Sequence, residues 1–378
     1  MLVTDGSHSS PKSTDTGEYM VSVKDFTPYG FDFSSCKRIS SEDYAALKRN
    51  GCVPKVGDIL VGKDGARYFE DIIIYDQPEH PALLSSIAIL RCNPQEIVSE
   101  FLYYLMKTPS FKQHVRDNYG SGSAIPRIIL KDFKRMPIQY PAIDEQEKIC
   151  SLLSRIDGKI KVNIQINDNL QQQAAALFAN FYDQAETEVG FTEMIQILGG
   201  GTPKTGESSY WNGDIPFFTP KDVGFPYTLT TEKTITEEGL AHCNSRLYPI
   251  NTVFVTARGT VGKVGLPGVP MAMNQSCYAL VGKDTHQLLV YFYTLKAVDR
   301  LKHKASGAVF DAITTRDFEA ENIMKLSDDD TKAFLDVAEP IYQAILNNSI
   351  ENLRLSELRD SLLPKLMNGE IDVTDIRL

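Results

Sequence analysis

The chain has 378 residues, 42% of them hydrophobic and 23% charged, and a formal net charge of −10. Its length is enough for two domains. Its acidity argues against a simple nucleic-acid-binding domain, without excluding a local basic face or a partner that completes one. It has no apolar run long enough for a membrane span, no signal peptide and no CxxC pair among its six cysteines. A reducing cytoplasm is therefore the expected location, and no metal site is expected.

Residues 1–143 are predicted to form one mixed α/β domain. Short runs rich in β-branched residues and bounded by turn formers predict strands at GEYMVSV, DILVG, DIIIY, SSIAIL and the proline-bounded MPIQYP. Helices are predicted over Ile97–Thr108 and Ser110–Asn118. A glycine- and serine-rich loop that contains Ser121-Gly122-Ser123, with Ser306-Gly307 as its match in the second half of the chain, then leads through Lys131–Phe133 to the next element.

Residues 144–185 are predicted to be one long helix. Its apolar and asparagine positions follow alternating steps of four and three residues, which is the 3.5-residue repeat of a coiled-coil seam. At 1.5 Å per residue the helix would be on the order of 55 Å long, too long for the core helix of a small domain. The seam positions are Ile149, Leu153, Ile156, Ile160, Asn163, Asn167, Leu170, Ala174, Leu177 and Phe181.

The same seam occurs a second time, within residues 329–378, which are predicted as a C-terminal helix. Every seam position lies 185 residues after its counterpart, as 334 − 149 shows. The asparagines recur too, Asn163 and Asn167 against Asn348 and Asn352. A polar level in an apolar seam fixes register, so the helices are predicted to pack antiparallel with their asparagines together. The second seam is Phe334, Ala338, Ile341, Ile345, Asn348, Asn352, Leu355, Arg359, Leu362 and Leu366.

Residues 186–328 repeat the plan of the first domain. NTVFVTARG matches GDILVGKDG, SCYALVG matches SSIAILR, and LLVYFYTLK matches EFLYYLMKT. The predicted fold class is therefore α+β, with two similar mixed α/β domains, each followed by a long helix, in a pseudo-two-fold tandem duplication. FTEMIQI precedes the glycine loop of the second domain, whereas MLVTDG leaves no room for that segment. Either the true N-terminus is longer, or the first domain does without that strand.

No catalytic signature in the sequence is complete. LGGGTPKT departs from a phosphate-binding loop at Leu198 and Pro203. No HExxH, GxSxG or Asn/Asp-Pro-Pro-aromatic motif occurs, and the six histidines are isolated. Two alternatives stay open at this point: a two-domain enzyme with an unrecognised site, and a protein-binding scaffold that uses the helices alone.

Two matched domains on a rigid spacer suit an extended, repetitive partner, and DNA is the obvious case. Two modules on one face of DNA lie about one helical turn apart, roughly 34–36 Å. Basic residues in matched loops are the candidate contacts, because they can clamp phosphate or read guanine edges; the alternative for each is an ordinary solvated charge. They are Lys12, Lys24, Lys63, Arg67, Arg127 and Lys131 in the first domain, and Lys204, Lys221, Arg258, Lys263 and Arg316 in the second. Lys24 matches Lys221, and Lys131 matches Arg316.

The chain resembles the specificity subunit of type I restriction-modification enzymes. The segments that carry the resemblance span nearly the whole chain, in family order, and are specific only in combination. They are TDGSHSSPK at Thr4–Lys12, PRIILKDFKRMPIQYP with EQEKI and RID at Pro126–Asp157, GGGTPKTGESSYWNGDIPFFTPKDV at Gly199–Val223, and LRDSLLPKLMNGEI at Leu358–Ile371.

The resemblance implies a non-catalytic DNA-specificity subunit. Each domain would be a target-recognition domain that reads one half of a split, asymmetric double-stranded DNA site. The paired helices would set the gap and dock two methyltransferase subunits, which would bind S-adenosylmethionine and methylate adenine. Restriction subunits, where present, would add translocation and cleavage driven by ATP and Mg. No cofactor and no membrane partner would belong to this chain.

Overall fold

The computed structural model describes residues 1–120, 126–224, 226–304 and 312–373. The chain divides into two compact units. Unit 1 contains Met1–Lys161 together with the described residues from Leu355 onward, and unit 2 contains Val162–Arg354. Each of the two long helices therefore contributes one part to unit 1 and another part to unit 2.

Unit 1 begins with a mixed domain of short strands and helices. Its strands are β1 Leu2–Asp5, β2 Glu18–Val21, β3 Phe26–Thr27, β4 Gly30–Phe31, β5 Lys37–Ile39, β6 Ile59–Gly62, β7 Ile72–Ile74, β8 Ala82–Leu83 and β9 Ile87–Arg91. Its helices are α1 Ser41–Arg49, α2 Ser99–Lys107, α3 Pro109–Tyr119, α4 Leu130–Phe133 and the first part of α5 Ile143–Gln184. A turn of 3-10 helix covers Val23–Asp25.

The main sheet of unit 1 is antiparallel, with strand order β1-β9-β6-β7. Strand β6 is apolar throughout because both of its faces are covered. Ile59 and Val61 pack in a core with Phe101 of α2, and Leu60 packs in a second core with Val21 of β2. A small sheet of order β5-β2-β8 therefore covers one face of the main sheet and the helices cover the other.

Unit 2 repeats this inventory after a short addition. Its strands are β10 Thr187–Gly190, β11 Ile195–Gly199, β12 Trp211–Phe218, β13 Tyr227–Thr228, β14 Thr234–Ile235, β15 Val253–Thr256, β16 Val264–Pro267, β17 Ala272–Met273, β18 Cys277–Gly282 and β19 Asn322–Lys325. Its helices are the second part of α5, α6 Phe191–Met194, α7 Glu237–Ala241, α8 Gln287–Lys304, α9 Thr315–Glu319 and most of α10 Asp328–Met367. A 3-10 turn covers Ser208–Tyr210.

The sheet topologies confirm the predicted duplication. The main sheet of unit 2, β11-β18-β15-β16 with β13 at its edge, follows the order β1-β9-β6-β7, and the small sheet β14-β12-β17 follows β5-β2-β8. The pairs β2/β8 and β12/β17 are both parallel, and the main ladders that match are antiparallel. A glycine lies against the backbone of β8 in unit 1 and against the backbone at the end of β17 in unit 2. A Cβ at Gly6 would lie 2.3 Å from the carbonyl oxygen of Leu83, and a Cβ at Gly200 would lie 2.2 Å from the carbonyl oxygen of Asn274.

One predicted strand, MPIQYP, is wrong, and the duplication gives the reason. In unit 2 the matching segment is β19, which pairs with β10. Among the residues that the structure describes, unit 1 has no counterpart of β10, and Met136–Tyr140 are not a strand. The prediction that MLVTDG leaves no room for a strand matching IQI is wrong, because β1 takes the place of β11 against β9. What lacks a counterpart among the described residues is β10 with α6.

Helices α5 and α10 carry the predicted seams. Within unit 2 the asparagines of the two helices are joined by side-chain hydrogen bonds. The Nδ2 of Asn163 donates to Oδ1 of Asn352 at 2.9 Å, and the Nδ2 of Asn348 donates to Oδ1 of Asn167 at 2.8 Å. This pairing confirms that the helices run antiparallel with their asparagines at one level. Helix α10 ends at Met367, and Gly369 follows with a φ of +75°, so the helix covers only part of the predicted segment 329–378.

The two long helices are not equivalent away from the asparagines. In unit 1 the buried Asp157 accepts from Arg359 Nη1 at 2.7 Å and from the hydroxyl of Tyr104 at 2.8 Å. The residue 185 positions after Asp157 is Tyr342, which packs in unit 2 against Tyr291 with ring centroids 5.6 Å apart. One repeat therefore fills this level with a buried ion pair and the other fills it with aromatic rings.

None of the described helices is long and apolar enough to cross a membrane. Within the same part of the chain, no three His, Cys, Asp or Glu side chains are grouped so that they could hold a metal ion.

The asparagine level makes a prediction about helix pairing. Replacing Asn348 by leucine removes a donor to Asn167, which is only 7% exposed, and we expect the free energy of unfolding to fall by about 1–3 kcal/mol. Replacing both Asn167 and Asn348 by leucine removes the unsatisfied group and should recover most of that loss. Urea denaturation of the two variants measures this; a double variant less stable than the single one would contradict it.

Lys107 makes a prediction about pH. Burial, followed by the nearby positive charge of Arg359, lowers the pKa of Lys107 to about 8, against about 10.4 for an unperturbed lysine. Between these values the unfolded chain holds a proton that the folded chain has released, so this site makes stability rise with pH from about 8 to about 10. We expect K107M to lose that rise, measured as the difference in unfolding free energy from wild type. Parallel pH profiles for the two proteins would show that Lys107 titrates normally.

Candidate nucleic-acid interface

The lysines Lys24 and Lys221 lie at the same place in two equivalent turns. Each turn follows the strand β2 or β12 and is closed by an aspartate, Asp25 or Asp222, which accepts a hydrogen bond from the backbone three residues earlier, at 2.7 and 2.8 Å. The aspartates are held inside the turn, and both lysine side chains are exposed. The ammonium of Lys221 is 3.8 Å from a Glu232 carboxylate in a pair that is largely solvated, which is worth little.

A second matched pair, Lys37 and Lys233, was missed in the sequence. Lys37 begins β5 and Lys233 directly precedes β14, so the two lie opposite β2 and β12 at the same ladder position. The Nζ of Lys37 donates to Ser10 Oγ at 2.7 Å, and that of Lys233 lies 5.7 Å from the ring centroid of Trp211. The signal was present, because both lysines open a Lys-x-Ile-Ser/Thr pattern that leads into a helix.

An arginine lies at an equivalent isolated bridge in each unit, although the two arginines come from opposite partners. Asp64 pairs with Arg127 in unit 1, and Arg258 pairs with Ala312 in unit 2, both antiparallel. Asp64 and Arg258 each lie two residues beyond the end of a matched central strand, β6 or β15. Both arginine side chains are exposed. The bridge is thus the same in the two units, but the arginine is its second partner along the chain in unit 1 and its first partner in unit 2.

The matched residues Lys131 and Arg316 are at the starts of two short helices, α4 and α9. In each helix the third residue is an aspartate whose carboxylate accepts from the backbone ahead of the helix, at 3.4 Å for Asp132 and 2.7 Å for Asp317. Lys131 and Arg316 are the second residues of these helices and are exposed. Lys131 and Arg316 lie four residues after Arg127 and Ala312, so they belong to the same end of the sheet.

The lysine turns also lie against the ends of the central strands. In unit 2 the Thr260 hydroxyl donates to the carbonyl oxygen of Pro220 at 3.2 Å. In unit 1 a Cβ added at Gly62 would lie 3.4 Å from Val23 Cγ1. Three features therefore meet at the carboxyl end of β6 or β15 in each unit: the lysine turn, the arginine bridge and the basic start of a short helix.

Two clefts in unit 2 gather basic residues that the sequence predicted separately. A cleft of about 470 Å³ joins Lys221 and Arg258, and it adds Lys233 and Asn274. Its remaining lining residues are Thr219, Pro220, Glu232, Gly259, Thr260 and Ser276. A neighbouring cleft of about 400 Å³ contains the predicted Lys263 with Lys302, which the sequence reading also missed.

Two of the predicted contacts are already neutralised inside unit 1. Lys63 is only 7% exposed, and its ammonium lies 3.4 Å from Asp5 and 3.7 Å from Asp64. The guanidinium of Arg67 is exposed but lies 2.8 Å from Asp71. Burial favours a structural role for Lys63; contact of Lys63 and of Arg67 with DNA stays a prediction.

The other predicted residues are loop cations. Lys12 and Lys204 are exposed on the loops that follow β1 and β11, and the carbonyl oxygen of Lys204 accepts from Trp211 Nε1 at 3.2 Å. The glycine and serine loops expected at 121–123 and 306–307 lie outside the described residues. Contact of Lys12 and Lys204 with DNA stays a prediction.

A pocket of about 490 Å³ in unit 2 tests the enzyme alternative. It contains a histidine and a carboxylate in contact, His286 Nε2 and Glu339 Oε1, at 2.7 Å. Both side chains are about half exposed, and no Ser, Thr, Cys or Lys lines the pocket. The hydroxyls in this lining belong to Tyr227 and Tyr342, and burial raises the pKa of both, which disfavours the ionised form that a nucleophile needs.

A family model described as the type I restriction modification DNA specificity domain matches residues 18–172 and again residues 187–350. The two matches fall on the two copies that the sheets define. A specificity subunit of the type I restriction enzyme HindI, from Haemophilus influenzae, is 23% identical over 90% of each chain. The MjaIX specificity subunit of Methanocaldococcus jannaschii is 24% identical over 74% of this chain and 71% of that protein.

Among solved structures, the chain is similar to a type I restriction-modification S subunit from M. genitalium. The TM-score is 0.53 at 15% identity, and the match covers 93% of this chain and 92% of that one. At this identity the likeness bears on the fold alone.

The matched helix starts make a prediction about affinity. We expect K131E and R316E each to weaken binding of full-length protein to duplex DNA by several-fold, because each reverses an exposed charge at the basic end of a sheet. Fluorescence anisotropy at two salt concentrations measures this, and the slope of log affinity against log salt should become shallower. K332E, at an exposed lysine on α10, is the matched control. Unchanged affinity in both test variants would remove these residues from the interface.

Proposed function

This chain belongs to the type I restriction-modification DNA specificity family, and we propose that each globular unit reads one half of a bipartite DNA site. It is a specificity subunit with two tandem target-recognition domains. One observation carries the assignment of the DNA-facing surface: the lysine turn, the arginine bridge and the basic helix start converge on the same sheet end in both units.

The interface divides into two kinds of contact. Lys24, Lys221, Lys131 and Arg316 occupy equivalent positions in the two units, so they suit the phosphate backbone, which is the same in every sequence. Positions at which the units differ suit base edges, because two half-sites of different sequence need different side chains. The net charge of −10 is compatible with this surface if partner subunits supply part of the DNA clamp.

The same proposal assigns catalysis to partners. The chain would dock two methyltransferase subunits that carry S-adenosylmethionine, and restriction subunits that use ATP and Mg would join where they are present. The long helices would set the number of base pairs between the half-sites and offer a docking surface.

The scaffold alternative makes a different prediction. A chain that works through its helices alone has no need of basic residues on equivalent loops of its globular domains. The convergence of three basic features at one sheet end, twice in one chain, favours the DNA reading.

A methylome tests the proposal. The full chain is expressed with the methyltransferase encoded beside it in a methylation-free host, and modified adenines are mapped by single-molecule sequencing. We expect a split motif that vanishes when this chain is omitted. A matched insertion of seven residues in α5 and in α10 keeps the seam and adds about 10 Å, so the gap should grow by about three base pairs with both half-sites unchanged. Methylation that is absent or independent of this chain, in a complex shown to assemble, would favour the scaffold.

A further inference from the structure

We propose that the 470 Å³ cleft of unit 2 reads a purine-containing half-site, in which Arg258 contacts a guanine and Asn274 contacts the neighbouring base. Unit 1 carries Asp64 and Leu84 at these two positions, and its arginine, Arg127, lies on the opposite partner of the bridge, so the two half-sites are expected to differ at the corresponding positions. The inference rests on the proposed function and deepens it by naming the bases and the residues that read them.

The backbone of Arg258 is held by hydrogen bonds, and its side chain is exposed. Its N–H donates to the carbonyl oxygen of Ser276 at 3.2 Å, and that of Ala257 donates to the same oxygen at 2.8 Å. Ala312 pairs with it from the other side. The guanidinium itself is exposed and has no ion pair among the described residues. An arginine fork held in this way matches the O6 and N7 acceptors of guanine, the commonest specific contact in the major groove.

Ser276, whose carbonyl oxygen holds the backbone of Arg258, also holds the side chain of Asn274. The backbone N–H of Asn274 donates to the carbonyl oxygen of Phe218 at 3.0 Å, and its Oδ1 accepts from the N–H of Ser276 at 3.0 Å. The Oδ1 hydrogen bond fixes the plane of the amide, and Nδ2 has no hydrogen-bond partner among the described residues, while a second lone pair remains on Oδ1. An amide with a donor and an acceptor together fits the N7 and N6 positions of adenine, and its donor alone fits any major-groove acceptor.

The equivalent positions of unit 1 carry opposite chemistry. Asp64 occupies the place of Arg258, and Leu84 occupies that of Asn274, since the N–H of Leu84 donates to the carbonyl oxygen of Val21 at 2.9 Å just as Asn274 does to Phe218. A carboxylate can only accept hydrogen bonds and a leucine makes none. Neither can donate to a purine N7 or to guanine O6.

The surrounding lysines do not explain the difference between the units. Lys221 and Lys233 flank Arg258 in the cleft, and both have a lysine counterpart in unit 1, Lys24 and Lys37. Equivalent lysines suit a shared partner, the phosphate backbone, and they hold the duplex in register for the residues that differ.

The test separates charge from recognition. R258K keeps the positive charge and loses the fork, N274L keeps the volume and loses the amide, and K221A removes a cation assigned to phosphate. Each full-length variant is co-expressed with the neighbouring methyltransferase in a methylation-free host that carries a library of randomised half-sites. The modified adenines are then mapped.

We expect R258K to reduce the preference for G·C at one position of one half-site by roughly 10- to 100-fold, with the other half-site unchanged. N274L should relax the adjacent position only, and K221A should lower methylation across all sequences without altering the motif. An R258K motif identical to that of wild type, or an equal loss at both half-sites, would overturn the inference while leaving the proposed function intact. A wild-type chain that directs no motif would overturn both.

Discussion

The register of the two long helices is the constraint on which the rest of the chain depends. Two pairs of asparagines meet across the seam, Asn163 with Asn352 and Asn167 with Asn348. In each pair the residue numbers add to the same value, as an antiparallel pairing of two copies requires. A slip of one heptad would leave at least three of the four amides facing apolar side chains, and a buried amide without a partner costs about 1–3 kcal/mol. The polar level therefore selects one register among those that the apolar positions would accept.

The buried ion pair of unit 1 adds a second restriction. Asp157 and Arg359 satisfy one another with Tyr104, whereas unit 2 fills the matching level with Tyr342 and Tyr291. Removing one partner of a buried pair costs about 3–5 kcal/mol, since the other charge is left uncompensated. If two copies of α5 paired with each other, Asp157 would meet Ala174 instead of arginine. This asymmetry favours the pairing of α5 with α10 over the pairing of like helices.

The globular parts show how one scaffold can carry two specificities. The residues that build the turns, Asp25 and Asp222, are held by the same hydrogen bonds in both copies. The residues that the turns and strand ends present are free to differ, and they do so at Asp64 against Arg258. Because the backbone positions are fixed by ladders and caps, a change of side chain there changes the chemistry offered to a ligand without changing the fold. The same arrangement explains how an acidic chain presents local cations, which lie at one sheet end of each unit.

Periodicity and repetition in the sequence alone were enough to predict the long helices and the duplicated domains. The seams, the shared asparagine level and the tandem duplication follow from spacings of 3.5 and of 185 residues, because these features depend on the order of residues along one element or on matching two copies. The predicted antiparallel direction is confirmed by the hydrogen bonds of the structure, since a parallel pair would match the same asparagines. The matched lysines Lys24 and Lys221 could be found for the same reason.

Only the tertiary structure decided which residues meet and which charges are free. Lys63 and Lys24 look alike in sequence, yet Lys63 is buried against Asp5 while Lys24 is exposed. MPIQYP has the composition of a strand but lacks a described partner, since a strand needs hydrogen bonds from another segment. Lys233 and Asn274 join Arg258 in one cleft although 41 positions separate the first two. Such contacts come from strand pairing across long separations, which local pattern does not encode.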